Sequence, residues 1–115
     1  MNFILPWPPT TLSPNDRSHW AIKAKAKAAY REAVAWSAKS QGAHRIDAEA
    51  LHLKITFYPP TRRAYDLDNA LARLKAGLDG LADVLGVDDS KWSLTIQKAP
   101  DGAIGGLVRV EVCHG

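Results

Sequence analysis

The spacing of apolar and polar residues along the chain predicts four β-strands. Between 51 and 58 apolar residues alternate with polar ones, and 92–96 repeats this period-two pattern, which is typical of strands that bury one face. A short apolar run at 3–5 ends at Pro6, and a valine-rich run at 107–112 follows a glycine-rich turn. Both of these runs predict a further strand.

Two other segments have the period of an α-helix. Leucines recur every three or four positions from 71 to 85, with Asp68 as the expected N-cap and Gly86 as the expected stop. An alanine- and lysine-rich stretch from about 18 to 40, with Gly42 after it, predicts another helix. The order β-α-β-α-β-β predicts an α+β fold in which two helices cover one face of a small mixed or antiparallel sheet.

Length and composition narrow the classes of protein that fit. The 115 residues suit one domain, so 1–115 is interpreted as a single unit. No run of eighteen apolar residues and no leader-like N-terminus is found, so we expect a cytoplasmic protein that does not bind membranes. The net charge of +3 is a weak indication of a polyanionic partner, and the single Cys113 cannot form an internal disulfide.

Acidic residues around the second predicted helix carry most of the candidate chemistry. Asp66 and Asp68 stand two positions apart where an apolar run gives way to the leucine pattern, and Asp88 and Asp89 precede the next strand. If that strand lies beside 51–58, its start could bring Asp89 back to Asp66 and Asp68. Acids gathered at one point repel one another unless a cation joins them, and carboxylate oxygens suit Mg²⁺. The pattern favours metal-assisted phosphate chemistry.

Each of these residues also has a purely structural interpretation. Asp68 could simply cap the helix, and Asp88 with Asp89 could form a solvated turn. Lys75 lies on the same helical stripe as Asp68 and forms an i,i+4 pair with Asp79. The residues alone leave both interpretations open.

Basic residues are concentrated in two stretches that could hold a phosphate backbone. One lies in the first predicted helix and the other in the loop before the acids: Lys23, Lys25, Lys27 and Arg31, then Arg62 and Arg63. In a phosphate site they would act as positive clamps on DNA. The alternative is an ordinary solvated helix face and loop arginines in water.

Taken in order, these segments resemble the RusA family of Holliday junction endonucleases of bacteria and prophages. The likeness covers Leu5-Pro6-Trp7-Pro8-Pro9, Tyr58-Pro59-Pro60, Arg62, Arg63, Asp66-Leu67-Asp68-Asn69, the run 75–81 and Val87-Asp88-Asp89. The resemblance implies a homodimer that binds four-way junctions in nucleoid DNA and cuts two strands symmetrically with Mg²⁺, in DNA recombination and repair. It also implies metal binding by Asp66, Asp68 and Asp89, with Asp88 as a further ligand, and contact between a helical lysine and the scissile phosphate.

The lysine is where this chain departs from the family pattern. The spacing D-x-D-N-x-x-K would put it at position 72, which is Ala72. Lys75 lies about 4.5 Å further along a helix axis, nearly one turn, and is therefore the expected catalytic lysine. Two other functions remain open: a Mg²⁺-dependent nuclease for other branched DNA, and a basic junction-binding protein without activity.

Overall fold

A computed structural model describes residues 1–103 and 105–113, and its elements follow the predicted order. The helices and strands are β1 (Asn2–Pro6), α1 (Trp20–Ser40), β2 (Leu51–Tyr58), α2 (Leu67–Leu85), β3 (Trp92–Lys98) and β4 (Leu107–Cys113). Single 3₁₀ turns at Thr10–Leu12 and Asp89–Lys91 precede α1 and β3. The predicted α+β class is confirmed. Neither helix in these two ranges has a stretch long and apolar enough to span a bilayer.

The four strands form one mixed sheet in the order β1-β4-β2-β3. β4 runs antiparallel to both of its neighbours, β1 and β2. β2 and β3 are parallel, with Leu51 opposite Trp92 and Phe57 opposite Lys98. Parallel neighbours need a crossover, and α2 provides it by returning the chain along the sheet. β3 therefore begins at the end of the sheet where β2 also begins.

Both helices cover the same face of this sheet, as predicted. On β1, β2 and β4 the residues of that face are almost fully buried, including Phe3, Leu53, Ile55 and Val110, whereas Leu94 on the edge strand β3 is 39% exposed. The opposite face is polar and carries its own hydrogen bonds. There, the His52 ring nitrogens lie 2.7 Å from Ser93 Oγ and 3.0 Å from Thr95 Oγ1. One buried face and one solvated face explain the period-two pattern of the strands.

Two glycines let α1 and α2 pack at very close range. A methyl group added at Gly80 would lie 2.2 Å from the backbone carbonyl oxygen of Arg31. At Gly77 it would lie 2.6 Å from the Tyr30 ring and 2.8 Å from Val34. The Tyr30 hydroxyl in turn donates a hydrogen bond to the Pro6 carbonyl at 2.6 Å, which joins the crossing to β1. The two helices are thus locked together at the middle of α2.

The ends of α2 differ slightly from the sequence prediction. The helix begins at Leu67, so its N-cap is Asp66, and Asp68 lies in the first turn. The expectation that Asp68 caps the helix was therefore wrong. Gly86 ends the helix as predicted, with a left-handed φ of 73° and its N–H bonded to the Ala82 carbonyl.

Candidate functional site

Asp66 and Asp68 are exposed at the start of α2. Asp66 has an extended backbone (φ −89°, ψ 138°), and its carboxylate makes no capping hydrogen bond. Neither carboxylate forms an ion pair within the described residues. Next to them, Asn69 Oδ1 accepts a hydrogen bond from Ser13 Oγ at 3.1 Å, which ties the loop before α1 to the helix. Two unengaged carboxylates thus stand at the positive end of a helix dipole.

Further along α2, Lys75 contacts two acids. Its ammonium group contacts an Asp89 carboxylate oxygen directly and lies 3.4 Å from Asp79 Oδ1. The hydrogen bond to Asp89 is the main reason why the pKa of Lys75 is raised. The lysine side chain is 60% exposed, compared with 28% for Asp89. The sequence prediction that Lys75 and Asp89 belong to one site is consistent with this contact.

Asp88 is the N-cap of a 3₁₀ turn. Its carboxylate accepts hydrogen bonds from the Ser90 hydroxyl and from the Ser90 backbone N–H at 3.2 Å. These hydrogen bonds lower the pKa of Asp88. Trp92 Nε1 donates to the Val87 carbonyl at 3.0 Å and fixes the same loop. The loop therefore directs Asp89, rather than Asp88, toward Lys75.

The acids do not assemble as the sequence suggested. β3 does lie beside β2, but the two strands are parallel, so Asp89 precedes the start of the sheet while the chain reaches Asp66 from the far end of β2. Lys75, the partner of Asp89, follows Asp68 by seven residues, about 10 Å along the helix. Within 1–103 and 105–113, no three His, Cys, Asp or Glu side chains are placed to hold a metal ion. The carboxylates have the right chemistry for Mg²⁺, but Asp66 and Asp68 lie at the start of α2, whereas Asp89 lies in the turn before β3 and contacts Lys75 further along the helix.

A basic cleft of about 580 Å³ opens beside Lys75. We call it the α1–α2 cleft; its lining includes Lys23, Lys27, Arg31, Ala72, Arg73 and Lys75. Arg31 also forms a bidentate ion pair with Asp83, with both N–O distances 2.8 Å. The remaining predicted DNA-binding residues, Lys25, Arg62 and Arg63, are exposed but lie outside this cleft. The predicted basic residues thus form two groups, one that lines the cleft and one that is exposed elsewhere on the surface.

Comparison with known proteins identifies the family. A family model described as Endodeoxyribonuclease RusA matches residues 6–112. The chain belongs to the RusA family. An uncharacterized protein of Xylella fastidiosa (strain Temecula1 / ATCC 700964) is 46% identical over 94 residues, 79% of this chain and 61% of that protein. The chain therefore spans less than two thirds of that relative. The RusA match includes every acid and basic residue considered above.

Sequence reasoning missed Arg73 in this RusA protein. Its guanidinium donates to the Pro8 carbonyl, stacks over the Trp7 ring at 5.8 Å, and lines the cleft. Arg73 Nε is buried without a hydrogen-bond partner. The sequence carried one signal for this residue, a charged side chain on the buried side of a helix. Arg73 lies three residues after Ala70 and four before Gly77, which are both buried in α2.

Proposed function

We propose that this RusA protein is a structure-specific endodeoxyribonuclease that resolves four-way DNA junctions with Mg²⁺, in the recombination and repair of bacterial or prophage DNA. The observation that carries the proposal is the position of the Lys75–Asp89 pair. It lies at the edge of a basic cleft, on the helix whose start exposes Asp66 and Asp68. A cationic cleft next to unengaged carboxylates suits a phosphodiester substrate.

Asp66, Asp68 and Asp89 would hold the metal, with Asp88 as a further acceptor. Mg²⁺ commonly uses one or two carboxylates, several waters and phosphate oxygens of the substrate, so exposed acids that are not prearranged as a cage still fit it. When bound, the ion would lower the pKa of the attacking water and stabilise negative charge on the phosphate. Because Asp89 lies apart from Asp66 and Asp68, phosphate oxygens of the DNA would complete the metal site.

Lys75 would exchange Asp89 for a DNA phosphate. In the free protein its ammonium neutralises Asp89, and the exposed lysine side chain can turn without being pulled out of a packed environment. A phosphate oxygen entering the cleft competes with Asp89 for the ammonium group, because both are anionic acceptors. The exchange would place positive charge beside the reacting phosphate and release the Asp89 carboxylate.

Backbone binding would use the remaining basic residues. Lys23 and Lys27 face the cleft, and Lys25, Arg62 and Arg63 would contact the arms of the junction outside it. Arg31 would contribute less, since its charge is shared with Asp83. Contacts of this kind recognise the position of phosphates and so the shape of a junction.

The protein would act as a homodimer formed through an exposed stripe of α1. This α1 stripe consists of Ile22, Ala29, Ala33 and Trp36, and its two large side chains are 57% and 66% exposed. Ile22 and Trp36 each lie seven positions from Ala29, so two antiparallel copies related by a two-fold axis at Ala29 would place Ile22 against the partner's Trp36. Alanines at the centre would let the helices approach closely.

The charges beside the α1 stripe and the edge of the sheet at β1 both favour this antiparallel helix pair. Lys25 and Glu32 flank Ala29 by four and three positions, so the antiparallel pair would bring opposite charges together. The β1 edge is already engaged, because the Gln41 amide bonds both the N–H and the carbonyl of Ile4 at 2.7 Å. A helix face is therefore a better docking surface for a second copy than this strand.

Sedimentation equilibrium tests the dimer with two matched tryptophans. Trp36→Ala should weaken association by at least about tenfold, as expected when an aromatic anchor of an interface is truncated. Trp20→Ala is the control, because Trp20 is 75% exposed and lies on the other side of α1. A monomeric parent at micromolar concentration, or equal weakening by both variants, would contradict the α1 stripe as the dimer surface.

Cleavage of a synthetic four-way junction tests the nuclease itself. We expect nicking in Mg²⁺ and none in EDTA, with linear duplex of the same sequence left intact. Equal cleavage of flaps and forks would favour the broader branched-DNA nuclease. Binding in EDTA without cleavage in Mg²⁺ would favour a junction-binding protein without activity.

A further inference from the structure

The α1–α2 cleft is larger than a backbone phosphate requires. Its volume of about 580 Å³ lies within the usual range for sites that enclose small organic ligands. Part of the lining is apolar, and most of it consists of alanine and proline: Leu12, Pro14, Ala28, Ala72 and Ala76. A wall of this kind suits a planar group, whereas a phosphate needs only the cations.

Three of the cations that line the cleft lack an acidic partner in the described part of the chain, although the lining also includes Asp79, whose Oδ1 lies 3.4 Å from Lys75 Nζ. Among the described residues, Lys23, Lys27 and Arg73 form no ion pair with a carboxylate. Lys23 Nζ instead contacts the Ser13 carbonyl at 3.3 Å. Arg73 is partly buried, with an unsatisfied Nε. A desolvated cation without a counter-ion is costly, and an anionic ligand would offset that cost.

Alanines from both helices form part of the cleft wall. Ala72 and Ala76 of α2 and Ala28 of α1 line the cleft together with Lys75. Methyl groups extend little from a helix surface, and Lys75 supplies positive charge about one turn after Ala72. The wall therefore combines apolar space with a nearby cation.

We propose that the α1–α2 cleft binds a nucleotide, with its phosphate held by Lys23, Lys27 and Arg73 and its base packed on the wall that contains Ala72. The ligand has an anionic group and a flat apolar face, which match the two halves of the lining. Such a nucleotide could be an unpaired residue at a DNA branch or a free nucleotide. The DNA source rests on the proposed function, and we favour it because the cleft adjoins the Lys75–Asp89 pair.

Binding measurements in EDTA test this proposal without any cleavage. One arm compares a fluorescent four-way junction that carries a single unpaired adenosine at the branch with the same junction carrying an abasic residue there. The parent should bind the adenosine form about tenfold more tightly, the size expected for stacking of one base. The other arm titrates dAMP by calorimetry. A preference in the first arm assigns the DNA source, and dAMP binding alone assigns the free nucleotide.

A cleft-filling variant distinguishes the site from general DNA affinity. Ala72→Leu should remove the base-dependent preference, while Ala50→Leu, at an exposed position outside the cleft, should keep it. Equal affinity for the adenosine and abasic junctions together with no dAMP binding would overturn the proposal, as would unchanged preference in Ala72→Leu. Cleavage of a fully paired junction in Mg²⁺ is scored separately. Its absence would refute the nuclease and leave the cleft result intact.

Discussion

The two sides of α2 illustrate two different ways in which sequence determines structure. On the inner side, Leu74, Leu78 and Leu81 are buried, and Gly77 and Gly80 meet α1. On the outer side, Asp68, Lys75 and Asp79 recur at helical spacing: Lys75 pairs with Asp79 and with Asp89 of the following turn, and Asp68 forms no ion pair within the described residues. The inner side is held by close packing, which allows few alternatives.

The outer side is held by charge and remains adaptable. Its ion pairs are exposed, and exposed pairs contribute little to the free energy of folding. A lysine can therefore exchange one anion for another there without disturbing the core. We infer that a rigid inner face supports an outer face whose contacts change when DNA binds.

Gly80→Ala should have the largest effect on stability. The added methyl group would meet the Arg31 carbonyl oxygen at 2.2 Å, so α1 and α2 would have to separate. We expect a loss of about 3 kcal/mol in the free energy of unfolding, the upper part of the range for overpacking, measured by urea denaturation. The gain in helix propensity, about 1 kcal/mol, would not offset it.

Gly77→Ala provides a graded comparison for that experiment. Its methyl group would meet side-chain atoms of Tyr30 and Val34 rather than backbone. Side chains can shift more easily than a carbonyl group of a helix, so the loss should be smaller than at Gly80. Equal stability of Gly80→Ala and the parent would contradict the close packing of the inner face.

Lys75→Ala tests the outer face, where activity rather than stability should change. We expect junction cleavage in Mg²⁺ to fall about 100-fold, the size seen when a positive or hydrogen-bonding group at a reacting oxyanion is removed. The urea midpoint should change little, because the lysine is 60% exposed. Lys91→Ala, an exposed lysine in the adjacent 3₁₀ turn, is the control. Full activity in Lys75→Ala would remove the role of this lysine while leaving the nuclease in place.

Asp83→Asn should have the smallest effect, and that effect should depend on pH. Hydrogen bonding to Arg31 lowers the pKa of Asp83 in the folded protein. A lowered pKa stabilises the fold above the unfolded value of about 3.9 and ceases to do so as pH falls through the folded value. Asp83→Asn should therefore lower Tm slightly at pH 7, and the difference from the parent should shrink as the pH falls below the unfolded value and through the folded one. A constant difference across this range would contradict the ion pair as its cause.

Much of the fold was predictable because it depends on local patterns. The leucine period predicted the inner face of α2, and the alternation at 51–58 predicted the buried face of β2. The helix crossing was not predictable, since Gly77 and Gly80 have no visible role until α1 is placed against them. The position of Asp89 depended on strand direction, and alternation is the same for parallel and antiparallel neighbours. The basic cleft was not predictable because residues of both helices line it, although an arginine on the buried side of α2, Arg73, was a signal that the sequence carried.

A double-mutant cycle on cleavage tests most directly whether the separated acids form one catalytic centre. Asp68→Asn and Asp89→Asn are assayed singly and together on a four-way junction in Mg²⁺, with Asp101→Asn as a control at an exposed turn. Residues that act as a unit are strongly non-additive, so each single variant should lose at least about 100-fold and the double variant should lose little more. Losses that multiply in the double variant, or full activity in Asp89→Asn, would contradict a shared centre.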